Sequence, residues 1–421
     1  MTKIIIIGCG LGGLAFTLKY KGNAEIEIYE KKKKEELGFP WCDTIRLSSF
    51  TDNGFKVPEF ALNKKKRFFI TIPDSKGKII QKKKIETERA EIDRTRFIEF
   101  FIREAEGKAK IEFERGISDL IVVSDSVKGV IFDDGSVEYA DLVIDASGAF
   151  SSIRKLLPLK QEDFSARRNE TMFYYRGYFL PNSDEPEPEY DSVYLKTMGE
   201  NAISWVRTAP NGCLDVFIAH MGEITDEFVQ RVFEDLTARN PRLGLTPVFV
   251  KTGKLALRFP LSRIVFDSFA FVGDSAYMSM PMTGSGMDNA IYAGVLLCEV
   301  VEEIKNDDYS VKNLWKYQSK YFRSLGSNMY VADMLLRYGM QLETQDVIWF
   351  FNEFMGETFS VKDVKRKLKS LFEKRVLTAF GFGLLGKMIK AKSLAMMTPL
   401  VYEKGSVDAW VDKYDSFIRE K

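Results

Sequence analysis

Three features of the sequence predict an α/β chain, α+β taken as a whole: a strand, glycine turn, helix, strand opening, a central run of aromatic alternating strands, and a helical end. Lys3 to Ile7 is β-branched, Leu11 to Tyr20 has helical spacing, and Glu25 to Tyr29 alternates polar and apolar residues. That order is a βαβ unit. Residues 31–67 follow as a long connection with lysine clusters at Lys31 to Lys34 and Lys64 to Lys66. Strands are predicted at Phe68 to Ile72 and Lys78 to Ile85, then a helix from Arg94 to Ala105. Asp133-Asp134-Gly135-Ser136 is a hairpin signal, and Asp141 to Ile144 reads as an apolar strand. From Thr171 to Val250 the texture turns to strands such as Met172 to Tyr175 and Ile203 to Val206, with one helix over Asp226 to Arg239. Phe269 to Val272 is a further buried strand, a glycine-rich loop leads into a helix from Gly286 to Ile304, and the rest is helical in pattern.

At 421 residues the chain is long enough for more than one structural unit. The order of elements suggests a discontinuous α/β domain over 1–45, 90–165 and 262–330, an antiparallel-sheet domain over 46–89 and 166–261, and a helical region over 331–421. Lysine and arginine number 61 against 60 acidic residues, so no global field favours a nucleic-acid partner. Cys9, Cys42, Cys213 and Cys298 lie far apart with no CxxC pair, which argues against disulfide scaffolds and clustered metal sites and for a reducing, cytoplasmic setting. His220 is the single histidine, which leaves no multi-histidine metal site and makes a cofactor the expected carrier of any hard chemistry. The apolar run from Ile4 to Leu18 is punctuated by glycines and followed at once by a strand, so it belongs to the fold rather than to a signal peptide.

Gly8-Cys9-Gly10-Leu11-Gly12-Gly13 is a G-x-G-x-x-G fingerprint between a strand and a helix, the setting a Rossmann-like dinucleotide site requires. Gly8 permits the tight turn, Gly10 admits a pyrophosphate to the backbone, and Gly13 lets the helix pack on the strand. Glu30 closes the second strand about twenty residues on, where a carboxylate accepts hydrogen bonds from an adenosine ribose, and Lys31 follows it.

Two later segments speak to the kind of dinucleotide. Phe271-Val272-Gly273-Asp274-Ser275-Ala276 puts an aspartate just past a buried strand, and Pro281-Met282-Thr283-Gly284-Ser285-Gly286-Met287 opens a helix. Together they resemble the second FAD signature of the flavoprotein superfamily that contains the aromatic hydroxylases and geranylgeranyl reductases. The resemblance implies FAD as cofactor, with Asp274 on the ribityl chain and Gly284, Gly286 and Met287 at the pyrophosphate and flavin. Asp93-Arg94-Thr95-Arg96-Phe97 resembles the superfamily's D-R-x-x-F helix start, which implies that Arg94 reaches the cofactor; otherwise Asp93 is a helix cap. Ile117 or Ser118 would meet the adenine. Asp141 to Gly148 resembles the family's strand and turn beside the cofactor.

Within that superfamily the chain resembles the geranylgeranyl reductases most, through the loop Leu37-Gly38-Phe39-Pro40-Trp41-Cys42-Asp43 and the helical end. It departs from them in the substrate sheet, where their Y-x-W-x-F-P stretch is replaced by Ile203-Ser204-Trp205-Val206-Arg207-Thr208-Ala209-Pro210. Trp205 and Pro281 are the expected substrate contacts. Cys42 has two readings: a loop thiol that orients the flavin or protonates an alkene carbon, or a small buried hydrophobe.

Other segments carry weaker signals. Gly381-Phe382-Gly383-Leu384-Leu385-Gly386 repeats the fingerprint without a buried strand before it. Lys374 to Lys392, apolar with basic flanks, reads as a turn of helix buried on the body or as a segment dipping into an anionic membrane surface. His220 and Cys9 read as structural. The resemblance implies reduction of carbon–carbon double bonds in a prenyl chain of an isoprenoid lipid, with hydride from reduced flavin. A flavin monooxygenase and a non-catalytic flavin electron-transfer protein are the alternatives. The electron donor is NAD(P)H or a ferredoxin-like protein, and no metal is expected.

Overall fold

The computed structural model describes residues 2–73, 79–157, 166–182, 186–344, 346–347, 381–403 and 405–419. Two sheets dominate it. The first has six strands in the order β16 (Val265–Phe266), β17 (Phe269–Phe271), β10 (Leu142–Asp145), β1 (Lys3–Ile7), β2 (Glu25–Tyr29) and β6 (Lys110–Glu112). All its pairings are parallel except β16 with β17. Ile4, Ile5 and Ile6 are fully buried at its centre, as a strand covered on both faces demands. Helices α1 (Leu11–Lys19), α3 (Arg94–Glu106) and α5 (Met287–Glu303) pack around it.

The second sheet has eight strands in the order β15 (Leu243–Ala256), β11 (Thr171–Pro181), β14 (Leu214–Met221), β13 (Ala202–Thr208), β12 (Asp191–Leu195), β4 (Leu62–Pro73), β5 (Ile79–Asp93) and β3 (Cys42–Ile45). It is antiparallel apart from the β12–β4 pair. One face is apolar: Tyr175, Phe179, Val216 and Ile218 pack against Phe228, Val232 and Leu236 of α4 (Asp226–Arg239). The alternation of β11 and β14 therefore turns Tyr174, Arg176, Tyr178, Asp215 and Phe217 to the opposite face. A third sheet of β7 (Ile117–Val123), β8 (Ser126–Phe132) and β9 (Val137–Tyr139) contains the expected hairpin.

The connection over 31–67 is more structured than its composition suggests. It holds β3 and a short helix, α2 (Ser48–Thr51), and β4 begins within it. The domain boundaries shift accordingly. Residues 42–45 and 90–93 are expected in the nucleotide-binding unit, but they pair with each other as β3 and the end of β5 and so belong to the larger sheet. Conversely Phe50, assigned to the sheet unit, is buried against Phe97 of α3, with ring centroids 5.8 Å apart. Hydrophobic burial of Phe50, not chain proximity to a strand, decides where α2 sits.

Helices α6 (Val311–Tyr321), α7 (Ser327–Gln341), α8 (Gly381–Met396) and α9 (Ser406–Arg419) gather an aromatic core of Trp315, Tyr321, Phe322, Tyr330, Trp410 and Tyr414. The second glycine fingerprint lies inside α8 rather than in a turn ahead of a helix. Of the basic apolar segment, residues 374–380 lie outside the described residues. Among the described residues no helix is long and apolar enough to cross a membrane.

Candidate functional site

The carboxyl ends of the parallel strands bring the first set of expected residues together. Gly8 takes φ +86° at the end of β1, a conformation glycine adopts without strain. A side chain on Gly10 would put its Cβ 2.2 Å from the Ala146 carbonyl oxygen, so the turn is glycine first because it crosses β10's end closely. The first intrahelical bond of α1 runs from the Leu14 N–H to the Gly10 carbonyl at 3.0 Å. The N–H groups of Leu11, Gly12 and Gly13 precede it and sit at the positive end of the helix.

Glu30, 8% exposed, accepts from the Cys9 N–H at 2.9 Å and the Lys32 N–H at 3.0 Å. A carboxylate has lone pairs beyond those two, so it retains capacity for further donors. Lys31 beside it is exposed. Ile117, half-buried, opens β7 opposite Phe132, whose ring packs on Tyr29 of β2 at 4.7 Å.

Asp145, at the end of β10, is fully buried and accepts from the Ser147 N–H and from the Ser147 and Ser151 hydroxyls. Asp274 follows β17 and accepts from the Ser279 hydroxyl at 2.6 Å. Burial pushes both carboxyls above the ordinary aspartate range, against the pull of those hydroxyls. Gly286 packs tightly on the pair: a Cβ there would meet the Ser279 hydroxyl at 2.3 Å and Asp274 at 3.1 Å. Helix α5 makes its first bond from the Ala290 N–H to the Gly286 carbonyl, which leaves the Met287 N–H ahead of the ladder. Gly284 and Pro281 lie in the same loop, Pro281 buried and Gly284 half-buried. Arg46 and Ser49 tie Asp288, in the first turn of α5, to α2.

The second set joins Cys42, Arg94 and Trp205, which the sequence singles out, to Asp43, Arg176, Arg207 and Asp215, which it does not. Cys42 is half-buried at the start of β3, and around it the charged face of the eight-stranded sheet forms a continuous ion-pair chain. Arg94 donates to Asp43 at 3.0 Å, Arg176 donates to Asp43 at 2.9 Å and to both oxygens of Asp215, and Arg207 also donates to Asp215. Arg176 is 4% and Asp215 2% exposed. Burial alone would raise the Asp43 and Asp215 carboxyls, yet Arg176, with Arg94 at Asp43 and Arg207 at Asp215, holds both below the usual range. The Arg176 guanidinium lies 4.7 Å from the Trp41 ring and 5.4 Å from Trp205, while Arg207 lies 4.6 Å from Trp205. Trp205 stacks on Phe217 at 3.9 Å. Arg94 joins the chain of ion pairs through Asp43, and Asp93 caps α3 through the Thr95 and Arg96 N–H groups.

Burial, with Glu91 and Asp93 nearby, pushes the Cys42 thiol up to about 11, so at neutral pH it carries its proton. Cys9 is likewise raised, by burial and then Glu30, and lies in the packed glycine turn. His220 sits 3.2 Å from Glu200 and edge-on to Phe228, away from both residue sets.

The signal for this network was present in part. Arg176 and Asp215 share the pleat parity that opposes an apolar face, and a charged residue there needs a partner. Which residue answers it depends on β3 joining the sheet edge and on α3 starting beneath it, and neither is encoded locally.

A further cleft of about 810 Å³ lies between the Phe150 to Lys155 loop and the ends of β11 and β15. Arg154, Lys155, Arg168 and Lys254 line it, with Glu223 the one acid among its described lining residues.

Fold and strand-end constellation together define the architecture of the FAD-dependent oxidoreductases. Among relatives, the chain is 23% identical over 398 residues to the digeranylgeranylglycerophospholipid reductase of Methanothrix thermoacetophila, covering 87% of this chain and 95% of that protein. It is 25% identical to the protein of the same name from Methanocaldococcus jannaschii, with 88% and 95% covered. The solved structure of a geranylgeranyl bacteriochlorophyll reductase-like protein from Thermoplasma acidophilum superposes with a TM-score of 0.72 at 19% identity, over 90% of this chain and 98% of that one. PqsL of Pseudomonas aeruginosa, described as a probable FAD-dependent monooxygenase, gives 0.61 at 16% identity, over 83% and 99%. No family model matches the sequence.

Proposed function

We propose that this chain is an FAD-dependent oxidoreductase that reduces carbon–carbon double bonds in the prenyl chains of geranylgeranyl lipids. The observation that carries the reading is a neutral thiol, Cys42, held on a buried charged wall beside α3, in a chain whose relatives are named as reductases of such lipids.

The residues at the strand ends suit FAD. The N–H groups of Leu11, Gly12 and Gly13 would hold the pyrophosphate from one side and the Met287 N–H from the other. Glu30 would take the adenosine ribose, Ile117 the adenine, and Asp274 the ribityl chain. Reduced FAD supplies the hydride in such a site. Cys42 supplies what an isolated alkene needs besides hydride, a proton for the second carbon, and its raised thiol keeps that proton available at neutral pH. Trp205 and Pro281 would line the apolar substrate path. The domain division over 1–45, 90–165 and 262–330, with 46–89 and 166–261 as the sheet unit and 331–421 as the helical end, stands as the working scheme, amended at β3 and α2.

The electron donor we propose is NAD(P)H or an acidic ferredoxin-like protein; the basic cleft at Arg154, Lys155, Arg168 and Lys254 supports an anionic donor of either kind. Peripheral contact with a membrane is part of the same proposal. Ile389, Met396, Met397, Leu400 and Val401 are exposed at 62%, 42%, 64%, 62% and 64%, and exposed Lys387, Lys390 and Lys392 flank them. The turn that carries them is tied down from within, since Trp315 donates to the Pro399 carbonyl and Arg323 to that of Thr398.

The test is to load the protein with FAD, reduce it anaerobically with dithionite, and offer a geranylgeranyl glycerophospholipid with air admitted to half the sample. Mass spectrometry should find products heavier by pairs of hydrogens in the anaerobic half. Oxygenated products confined to the aerated half would instead establish the monooxygenase reading.

A further inference from the structure

The peptide that carries Cys42 is gripped from two sides. Its N–H donates to the Tyr178 hydroxyl at 2.8 Å, and its carbonyl accepts from Arg176 at 2.9 Å. The residue before it, Trp41, lies under the same guanidinium, and the residue after it, Asp43, is ion-paired to it at 2.9 Å. Three consecutive residues of the loop are therefore fixed on one side chain of β11, and Arg176 is itself fixed by Asp215. The bond from the Cys42 N–H sets the Tyr178 hydroxyl beside Cys42, where it pulls the thiol down against the burial that raises it. Tyr178 is 5% exposed, and burial raises its hydroxyl well above the ordinary phenol range, so the group keeps its own proton while it accepts the Cys42 N–H.

We infer that Tyr178 and Arg176 are positioning residues for the Cys42 thiol: Arg176 fixes the loop, and Tyr178 both accepts the Cys42 N–H and stabilises the sulfur once its proton has left. The inference rests on the reading of Cys42 as proton donor. In that step the S–H bond breaks and a C–H bond forms on one alkene carbon. The other carbon takes hydride from reduced FAD, which is oxidised, and the negative charge stays on sulfur until solvent returns a proton. A half-buried thiolate beside Glu91 and Asp93 is costly, and the Tyr178 hydroxyl, held at the Cys42 N–H, is the neighbouring group that lowers the cost. Arg176 does not touch the sulfur; its bonds end on the Cys42 carbonyl and the two aspartates.

The experiment uses the flavin-loaded full chain with Tyr178→Phe and, because it keeps the buried positive charge, Arg176→Lys, each made also in a Cys42→Ala background. Turnover is measured on digeranylgeranyl glycerophosphate in detergent micelles with dithionite. Iodoacetamide labelling of Cys42 at alkaline pH is followed in parallel by peptide mass spectrometry. Tyr178→Phe should lower kcat about ten-fold with KM changed by less than about two-fold, the loss of one hydrogen bond to a charged group. It should slow labelling of Cys42 as the thiolate fraction falls, and cost nothing further in the Cys42→Ala background. Arg176→Lys should likewise lower kcat only when Cys42 is present. Equal losses with and without Cys42, or wild-type kcat and labelling in Tyr178→Phe, would overturn the inference. If Cys42→Ala turned over like wild type, the proton-donor reading would fail by itself, and the labelling rates would still decide whether Tyr178 acts on the sulfur.

Discussion

The carboxyl edge of the parallel sheet and the charged face of the eight-stranded sheet are built on opposite principles. At the edge, each functional group is presented by a short run of sequence: a turn after β1, Glu30 after β2, Asp145 at the end of β10, Asp274 after β17. At the charged face, Asp43, Arg94, Arg176, Arg207 and Asp215 come from five separate elements and none is useful alone. The edge relies on backbone N–H groups and isolated carboxylates, so it tolerates loss of one contact. The face relies on buried mutual neutralisation, so loss of one member leaves another charge uncompensated.

The largest expected effect breaks the face. Arg176→Met should destabilise the fold by about 3–5 kcal/mol, since Asp43 and Asp215 would both lose their main partner; chemical denaturation reads this directly. A loss under about 1 kcal/mol would mean that water already screens the network. Acid stability offers a second reading of the same face. Because Asp43 and Asp215 are held below their ordinary values in the fold, they contribute stability above the unfolded value of about 3.9, and this is lost as pH falls through their folded values. Weakening the cationic side with Arg207→Gln should therefore move the acid-unfolding midpoint to higher pH. An unchanged midpoint would show that Asp215 does not need Arg207.

Smaller effects are expected at the edge. Glu30→Ala should weaken FAD binding by roughly 1–2 kcal/mol, about ten-fold or a little more, with a further loss of about 1–3 kcal/mol in the FAD-free protein as the Cys9 and Lys32 N–H groups lose their acceptor. Wild-type FAD affinity in that variant, read by fluorescence titration, would count against its assignment to the ribose. Thinning the exposed patch with Met397→Ser and Leu400→Ser should reduce co-flotation with anionic phosphatidylglycerol vesicles while leaving turnover in micelles intact. Equal flotation of variant and parent would remove the membrane contact from the account.

The same contrast explains what the sequence disclosed. The βαβ opening, Glu30, Asp274 and the start of α5 could be read because their geometry is local: a glycine turn, a strand end, a helix start within a few residues. The helix over Asp226–Arg239 was read to its ends because Thr225 caps it and acidic residues open it. The edges of the sheet unit were misjudged because β3 and α2 are short, and tertiary burial, of Phe50 for one, overrides what few residues prefer. The reach of Arg94 to the cofactor is implied by resemblance alone, and its bond to Asp43, at 3.0 Å, could not be read because only the assembled sheet creates that contact. Arg176, Tyr178 and Asp215 were passed over because, read singly, each is an ordinary polar residue of a half-buried strand.

The central claim is that the charged face holds Cys42 as the acid in double-bond reduction. Its most direct test is single-turnover reoxidation of the reduced, flavin-loaded enzyme by a geranylgeranyl lipid without oxygen, followed by flavin absorbance in wild type and Cys42→Ala. Wild type should reoxidise on mixing, and Cys42→Ala should do so about 10²–10⁴-fold more slowly with flavin binding unchanged, the range general acids contribute. Reoxidation of Cys42→Ala at the wild-type rate would contradict the claim.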